Sequence, residues 1–575
     1  MSGPLVRRAV RFAPLVLGAV LLVWHSLQYN FVTDDAYISF VFSRNFAEHG
    51  QLTFNLGDRV EGYTNFLWTF LMGVLMLVGV NPEWSSRVLG ALCALVTLWV
   101  AFGLTERLLG RATAWAGLPA ILLGASAGFA CWTSGGLETQ LFTMLVTIAI
   151  DGYVEGSNAT HASVRPWIRM GIALALAAMT RPEGLLIAAL IGVHRLVVLL
   201  WALRVAAPSS TLSSVVPNPL AARFVGKRGP QRWLAVIGKP EIATMVALLA
   251  LWAPWFAWRW WYYGWPFPNT YYVKAHGPWV TPSAAKIMWD NGWYYIAVWA
   301  KQIQLMWAAP FIIVATISST RSAGPRRTFV SLSWLIGAVY IVYAASVGGD
   351  FMGLHRFIMP VFLLVAVLVT LGLHDVVMFV SPLPVRPHGE RWAAVALVVL
   401  VAAGFGYHQL VLTGRSLRWG NFPNDRGIDT PRFLITYTQD RAAIGKAMQP
   451  CFAPDDFSIV GGAGAQPYFG RMRAIDVFGL VSERVAHEEP RSNPRAGHTK
   501  WASDALLLQY DPTFVFSCYG ISGSAKAPPL YCAGSWLARG YEQLTMHIPG
   551  MRERGEYYTF LAKKSRQFQC PGLTR

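Results

Sequence analysis

Residues 66–80, FLWTFLMGVLMLVGV, decide how the chain is threaded. The run is about 15 residues long and is separated from the next apolar run by Asn81, Pro82, Glu83 and Trp84. A bilayer core about 30 Å thick needs about 20 apolar residues, and shorter runs are more often interfacial or re-entrant. If 66–80 crossed the membrane, every later loop would change sides. Arg204, Arg223, Lys227, Arg228, Arg232 and Lys239 would then lie outside, against the bias that keeps Lys and Arg in the cytoplasm. We therefore read 66–80 as a helix lying along the outer face.

The rest of the chain follows from that choice. Arg7, Arg8 and Arg11 precede an apolar run over about 12–27 with no small-residue cleavage site after it, so the first helix is uncleaved and the N-terminus cytoplasmic. A first outer loop follows over about 29–85. Further spans are expected at roughly 86–104, 113–131, 138–154, 168–180, 184–203, 241–258, 291–317, 328–347, 356–374 and 392–412, about eleven in all. In this frame Arg107, Arg111, Arg165, Arg169, the 204–239 loop, Arg321, Arg326, Arg327, Arg386 and Arg391 all face the cytoplasm. Composition agrees: of 575 residues, 54% are hydrophobic and 14% charged, against roughly 25% charged in soluble domains. The net charge of +18 is spread over loops, which excludes a nucleic-acid-binding reading.

Residues 1–412 thus form a helical membrane domain, and 413–575 a separate outer one. The latter carries 20 Lys and Arg with 14 Asp and Glu and lacks any 18-residue apolar run. Strand-like pieces at 457–460, 513–517 and 557–561 alternate with helical stretches near 440–448 and 500–509, which suggests a small α/β module. Cys451, Cys518, Cys532 and Cys570 all fall there, enough for two disulfides in an oxidising compartment, in any of three pairings. No HExxH, paired CxxC or Walker loop is present, so zinc hydrolysis and ATP-driven transport gain no support.

Polar residues collect on the outer side. The first outer loop has Asp34, Asp35, Arg44, Glu61 and Asn65. Later outer turns add Glu138, then Arg181 and Glu183, then Asn269, Tyr271, Tyr272 and Lys274, then Asp350, His355 and Arg356. Brought together, these five turns would line one polar cavity; taken singly, each charge could merely cap its own helix. Adjacent carboxylates ionise at different pH, so one of Asp34 and Asp35 can remain a base near neutrality while the other caps a helix. Arg181 needs an anionic partner, either a lipid phosphate shared with Lys274 and Arg356 or an internal pair with Glu138 or Glu183. Gly461, Gly462 and Gly464 read as a tight turn rather than an anion cradle.

Taken in order, several segments resemble the GT-C glycosyltransferases, nearest the actinobacterial terminal arabinofuranosyltransferase group. They are Asp34-Asp35-Ala-Tyr-Ile-Ser-Phe, Phe54-Asn55-Leu-Gly57-Asp-Arg59-Val-Glu61-Gly-Tyr-Thr-Asn65-Phe-Leu-Trp68, Ser134-Gly-Gly-Leu-Glu138, Arg181-Pro-Glu183-Gly, Tyr262-Tyr-Gly, Pro268-Asn-Thr-Tyr-Tyr-Val-Lys274 and Gly348-Gly-Asp350-Phe-Met. The resemblance implies a GT-C-like, α-helical polytopic membrane enzyme of the bacterial plasma membrane. It would carry a surface helix in its first outer loop and an extracytoplasmic α/β domain. It also implies a polyprenyl-phosphate sugar donor, a cell-envelope glycan or glycolipid acceptor, and an inverting transfer with Asp34, or Asp35, as general base. By the same resemblance Arg181, Lys274, Arg356 and Arg44 would bind the donor phosphate. Glu138, Glu183, Asn269, Tyr271, Tyr272, Asp350, His355, Glu61 and Asn65 would line the substrates. The transfer is read as metal-independent or as assisted by a divalent cation (Mg, Mn or Ca). Arabinosyl members carry Gly after the acidic pair where this chain has Ala36-Tyr37, which leaves mannose or galactose open beside arabinofuranose. A lipid or solute transporter and a noncatalytic envelope-assembly scaffold are the competing classes.

Overall fold

The computed structural model describes residues 4–158, 163–205, 220, 223–224, 227, 230–322, 324–380, 388–420, 426–567 and 570–574. Arg228 and Arg386 of the expected basic loops lie outside them. Among the described residues seven helices are long and apolar enough to cross a membrane, and nine if two bent pairs each count as one. The two further spans expected at 138–154 and 168–180 are the helices Thr139–Asn158 and Arg165–Thr180, both packed against neighbouring helices along much of their length.

The short run that set the threading is the helix Phe66–Leu77, 12 residues long. At 1.5 Å per residue it covers about 18 Å, too little for a bilayer core. It lies against the first outer-loop helix, Asp34–His49: the Ser43 hydroxyl donates to the Thr69 carbonyl at 2.8 Å. Trp68 is fully buried, its indole N–H donating to the Gly136 carbonyl at 3.0 Å. Asn81 then caps the long helix Pro82–Leu109, its side chain accepting from the Glu83 amide at 2.8 Å, with Pro82 in the first turn where its missing N–H costs nothing.

Burial divides the bundle. Within Arg356–Phe379, 89% of the apolar window is enclosed by protein, which makes this the central helix. None of Lys239–Tyr263 is enclosed over its window, so that helix lies at the lipid-facing rim. Two expected spans are not straight. Residues 113–131 break at Ser126 into Ala114–Ala125 and Ala127–Ser134, bent by 67°, and 291–317 become Pro282–Gln302 and Leu305–Thr320, bent by 81°. Breaks free backbone groups that hydrocarbon cannot satisfy. The buried Gln409 serves both: its Oε1 accepts from the Ala127 amide at 3.0 Å and its Nε2 donates to the Gln302 carbonyl at 2.7 Å.

At the end of the bundle reached by Tyr29, the chain after helix His388–Arg418 builds an α/β domain. Strands β1 (Phe457–Val460), β2 (Arg473–Asp476), β3 (Phe514–Ser522), β4 (Tyr541–His547), β5 (Tyr557–Lys563) and β6 (Leu573–Thr574) form one sheet in the order β2-β1-β3-β5-β4-β6. β1 runs parallel to β2 and β3, and the other pairings are antiparallel. Disulfides Cys451–Cys570 and Cys518–Cys532 resolve the three pairings. The sheet does not own its core: Ile38, Val41, Phe42, Phe54 and Tyr63 of the first outer loop pack with Ile444, Met448, Val460 and Phe560.

The opposite end of the bundle is fastened by ion pairs. Arg11 pairs with Glu106, Arg107 with Asp151, Arg169 with Asp151 and Glu155 (2.7 and 2.8 Å), and Arg326 with Asp375.

Candidate active site

Thr33 precedes the helix Asp34–His49, so Asp34 and Asp35 are its first two residues. Successive helical side chains diverge by about 100°, and the two carboxyls therefore address different surroundings. Asp34 faces the α/β domain: its Oδ1 accepts from the Ala465 amide at 2.8 Å. A Cβ on Gly464 would overlap Asp34, and one on Gly462 would sit 3.1 Å from its Oδ2. The glycines read as a tight turn are what lets the domain close onto this carboxylate. Burial lifts Asp34 to about 6, with Asp35 adding to the rise and Ala465 and Arg441 opposing it.

Asp35 faces a cluster of charges from the other turns. Burial raises it, while Arg356 and Lys274 pull it down and Asp350 and Glu138 push it up. Burial lowers Lys274, and Asp35 acts against that. Among the described residues no carboxylate is in ion-pair contact with the Lys274 ammonium. Arg356 donates through Nε to Asp350 at 2.6 Å. Burial alone would raise Asp350, but Arg356 outweighs it and holds the carboxyl below its ordinary value. Arg181 donates from Nη1 to Glu138 at 2.9 Å and from Nε to Glu183 at 3.2 Å, and Asn65 donates to the other oxygen of Glu138 at 2.9 Å. His355, between Asp350 and Arg356, packs on the Tyr295 ring at 4.5 Å; burial lowers it to about 3, so the imidazole is neutral at physiological pH.

All five outer turns thus meet, with Asp35, Asn65, Glu138, Arg181, Glu183, Lys274, Asp350, His355 and Arg356 in one region. Other expected residues lie elsewhere, and their partners explain why. Glu61 is in a buried ion pair with Arg259 at 2.6 Å. The Asn269 amide donates to the carbonyls of Gly479, Leu480 and Ser482 at 2.6, 3.1 and 3.2 Å, so it stitches its loop to the α/β domain. Arg44 donates to the Tyr468 carbonyl at 2.6 Å and is lowered by burial beside Arg471. Tyr272 packs on His487 at 4.1 Å, while Tyr271 is exposed against Phe267. The Asp34 side adds residues that sequence reading did not single out: Arg441, buried under the rings of Tyr437, Tyr519 and Tyr558, and Tyr437 itself, whose hydroxyl a Cβ on Gly462 would crowd at 2.7 Å.

A divalent cation finds no ready ligand set. Among the described residues no three His, Cys, Asp or Glu side chains are grouped to hold a metal. Of the carboxylates that sense one another, Glu138 and Asp350 are held by Arg181 and Arg356, and Asp35 lies near Arg356 and Lys274 without an ion-pair contact.

Two neighbouring cavities lie on the bundle side of this cluster. One of about 520 Å³ lies between helices Leu305–Thr320, Met359–Val380 and His388–Arg418, lined by Phe311, Phe362, Val365, Leu400 and Phe405. It shares Gln304 and Gly404 with a second of about 650 Å³ that reaches His355 and carries Lys301 and Arg415.

No family model matches the chain. A curated relative, the terminal beta-(1->2)-arabinofuranosyltransferase of Corynebacterium glutamicum, is 24% identical over 478 residues, covering 76% of this chain. The match spans 60% of that relative's length. ArnT of Cupriavidus metallidurans, in a crystal structure bound to undecaprenyl phosphate, superposes with a TM-score of 0.53 at 14% identity over 95% of this chain and 97% of its own. Its apo form gives the same TM-score over 96% and 97%. A sequence relative at 24% identity and a fold shared over 95% of this chain thus stand beside the resemblance read in the ordered motifs.

Proposed function

We propose that the protein is an integral membrane glycosyltransferase that moves a sugar, arabinofuranose by preference, from a polyprenyl-phosphate donor to an envelope glycan or glycolipid on the side bearing the α/β domain. One observation carries the reading. The acidic pair is split, with Asp34 turned to the domain and Asp35 to the cations Lys274 and Arg356, while an apolar cavity able to take a prenyl chain adjoins a second one that reaches His355 of the same cluster. Undecaprenyl phosphate in ArnT and arabinofuranosyl transfer by the Corynebacterium relative support donor class and sugar.

In this mechanism the acceptor hydroxyl gives its proton to Asp34 as its oxygen bonds to the anomeric carbon. The bond from that carbon to the phosphate oxygen breaks, and the electron pair leaves with the polyprenyl phosphate. A carboxylate held near 6 is ionised at neutral pH yet more basic than an ordinary aspartate. Lys274 and the terminal nitrogens of Arg356 meet the charge growing on the leaving phosphate. Arg181, committed to Glu138 and Glu183, orders the turns rather than binding phosphate. Base and leaving group then act from opposite sides of the sugar, which inverts the anomeric centre.

In this reading the N-terminus is cytoplasmic and the α/β domain outside. Two disulfides in the domain and the Arg-rich opposite end support this. The test is transfer from a panel of radiolabelled polyprenyl-phosphate sugars to envelope glycan in membranes, comparing the natural protein with Asp34→Asn at matched expression. Activity lost in the variant supports the reading and names the donor; equal activity in both removes Asp34 as base.

A further inference from the structure

A third groove lies away from the cavities adjoining His355, between the helix Pro4–Tyr29 and the helix Pro82–Leu109. It encloses about 330 Å³. Its wall is apolar, with Leu22, Leu27, Val88 and Ala91, and its polar end, towards the α/β domain, holds Asn30 and Arg87. From Leu22 to Asn30 the groove follows about 12 Å of helix, the depth of the outer part of one acyl chain. Arg87 sits five positions inside a helix that starts at Pro82, about 7 Å below its end, at headgroup depth. The exposed Trp84 ring on the same turn marks the interface.

The guanidinium is incompletely used. Nε donates to the Glu83 carbonyl at 2.9 Å and Nη1 to the Asn30 side-chain oxygen at 2.6 Å, both neutral acceptors. Among the described residues no carboxylate pairs with Arg87. This contrasts with Arg181, Arg259 and Arg356, each of which has its own carboxylate. A guanidinium with no carboxylate in ion-pair contact, the nearest along its helix being Glu83 one turn before it, at headgroup depth above an apolar channel is complementary to a lipid with an anionic phosphate.

We infer that the groove between helices Pro4–Tyr29 and Pro82–Leu109 binds an anionic phospholipid of the leaflet on the α/β-domain side, with Arg87 receiving the phosphate and the Leu22–Ala91 channel an acyl chain. The inference does not rest on the proposed transferase activity. It concerns a different groove and a different lipid.

The full-length protein is reconstituted in nanodiscs of equimolar phosphatidylglycerol and phosphatidylcholine, and retained lipid is counted by native mass spectrometry after release into detergent. The natural protein should keep one phosphatidylglycerol, preferred about fivefold over phosphatidylcholine, as one cation near an anionic headgroup provides. Arg87→Gln should abolish the preference and Arg87→Lys retain it. Ala91→Trp should fill the channel and remove the lipid, while Gly404→Phe, which narrows the other cavities, should leave it in place. Size-exclusion profile and melting temperature establish that each variant is folded. Equal retention of the two lipids by the natural protein, or preference surviving Arg87→Gln or Ala91→Trp, overturns the inference.

Discussion

At the scale of single residues, two neighbouring aspartates have been given opposite employment by one helical step. Asp34 is held by the Ala465 amide and crowded by glycines from more than 400 positions away, while Asp35 looks to Lys274 and Arg356. If Asp34 is the base, the transfer rate should rise with pH through about 6 and level off above it, and the Asp34→Asn variant should lose about 10³-fold or more in kcat. Stability should move the other way. A folded-state value raised from 3.8 to about 6 means that the native protein binds this proton more tightly than the unfolded chain. The stabilising contribution is full below 3.8, is lost as pH rises to about 6, and stays lost above it. Asp34→Asn, free of that cost at pH 7.5, should melt a few degrees higher, a gain of about 1–2 kcal/mol measurable by thermal unfolding in detergent. Lys274→Met should instead raise KM for the donor and leave the melting temperature nearly unchanged, because its ammonium is committed to no carboxylate. The pair itself was legible in the sequence; for Arg181 the sequence offered phosphate or an internal pair and favoured phosphate, whereas the guanidinium is held by Glu138 and Glu183. Which carboxyl faces which surroundings was not legible, because the glycine turn that decides it looks like any other tight turn until it meets Asp34.

Among the elements, the short helix Phe66–Leu77 was readable because length alone separates an 18 Å rod from a 30 Å slab. The two broken helices were not. Ser126 and Gln304 are neither Gly nor Pro, and a hydropathy window averages across both sites. What makes the breaks tenable is Gln409, distant in sequence from each, which answers one freed amide and one freed carbonyl. Replacing it by Leu preserves size but orphans both groups in a water-poor interior, at about 1–3 kcal/mol each. Gln409→Leu should therefore lower the melting temperature by several degrees. Gln409→Glu, which keeps the acceptor and removes the donor, should fall between the two. Equal melting of all three would mean that the breaks are satisfied by other groups.

For the whole molecule, the sequence led to two units, 1–412 and 413–575, on the strength of a sharp change in charge density. The folded chain gives the α/β domain and the first outer loop one hydrophobic core, so the helix Asp34–His49 is packed between the bundle and the sheet. Charge density reports which segments meet water and says nothing about which apolar faces meet each other. The threading inferred from residues 66–80 makes a claim about the assembled protein that can be decided directly. Cys93 and Cys131 are buried, so single cysteines placed at Ser524, exposed on the domain, and at Lys227, exposed beyond the other end of the bundle, report one side each. In intact cells a membrane-impermeant maleimide should modify Ser524→Cys and spare Lys227→Cys until the membrane is opened. Labelling of Lys227→Cys alone would put the domain in the cytoplasm, where disulfides Cys451–Cys570 and Cys518–Cys532 would be reduced and a nucleotide-activated sugar would serve as well as a lipid-linked one. Labelling of Ser524→Cys alone fixes the chemistry on the face where no nucleotide sugar is available. Under the proposed function the activated sugar would then arrive on a lipid, and the cavities adjoining His355 together with the cations around Asp35 are the candidates to receive it.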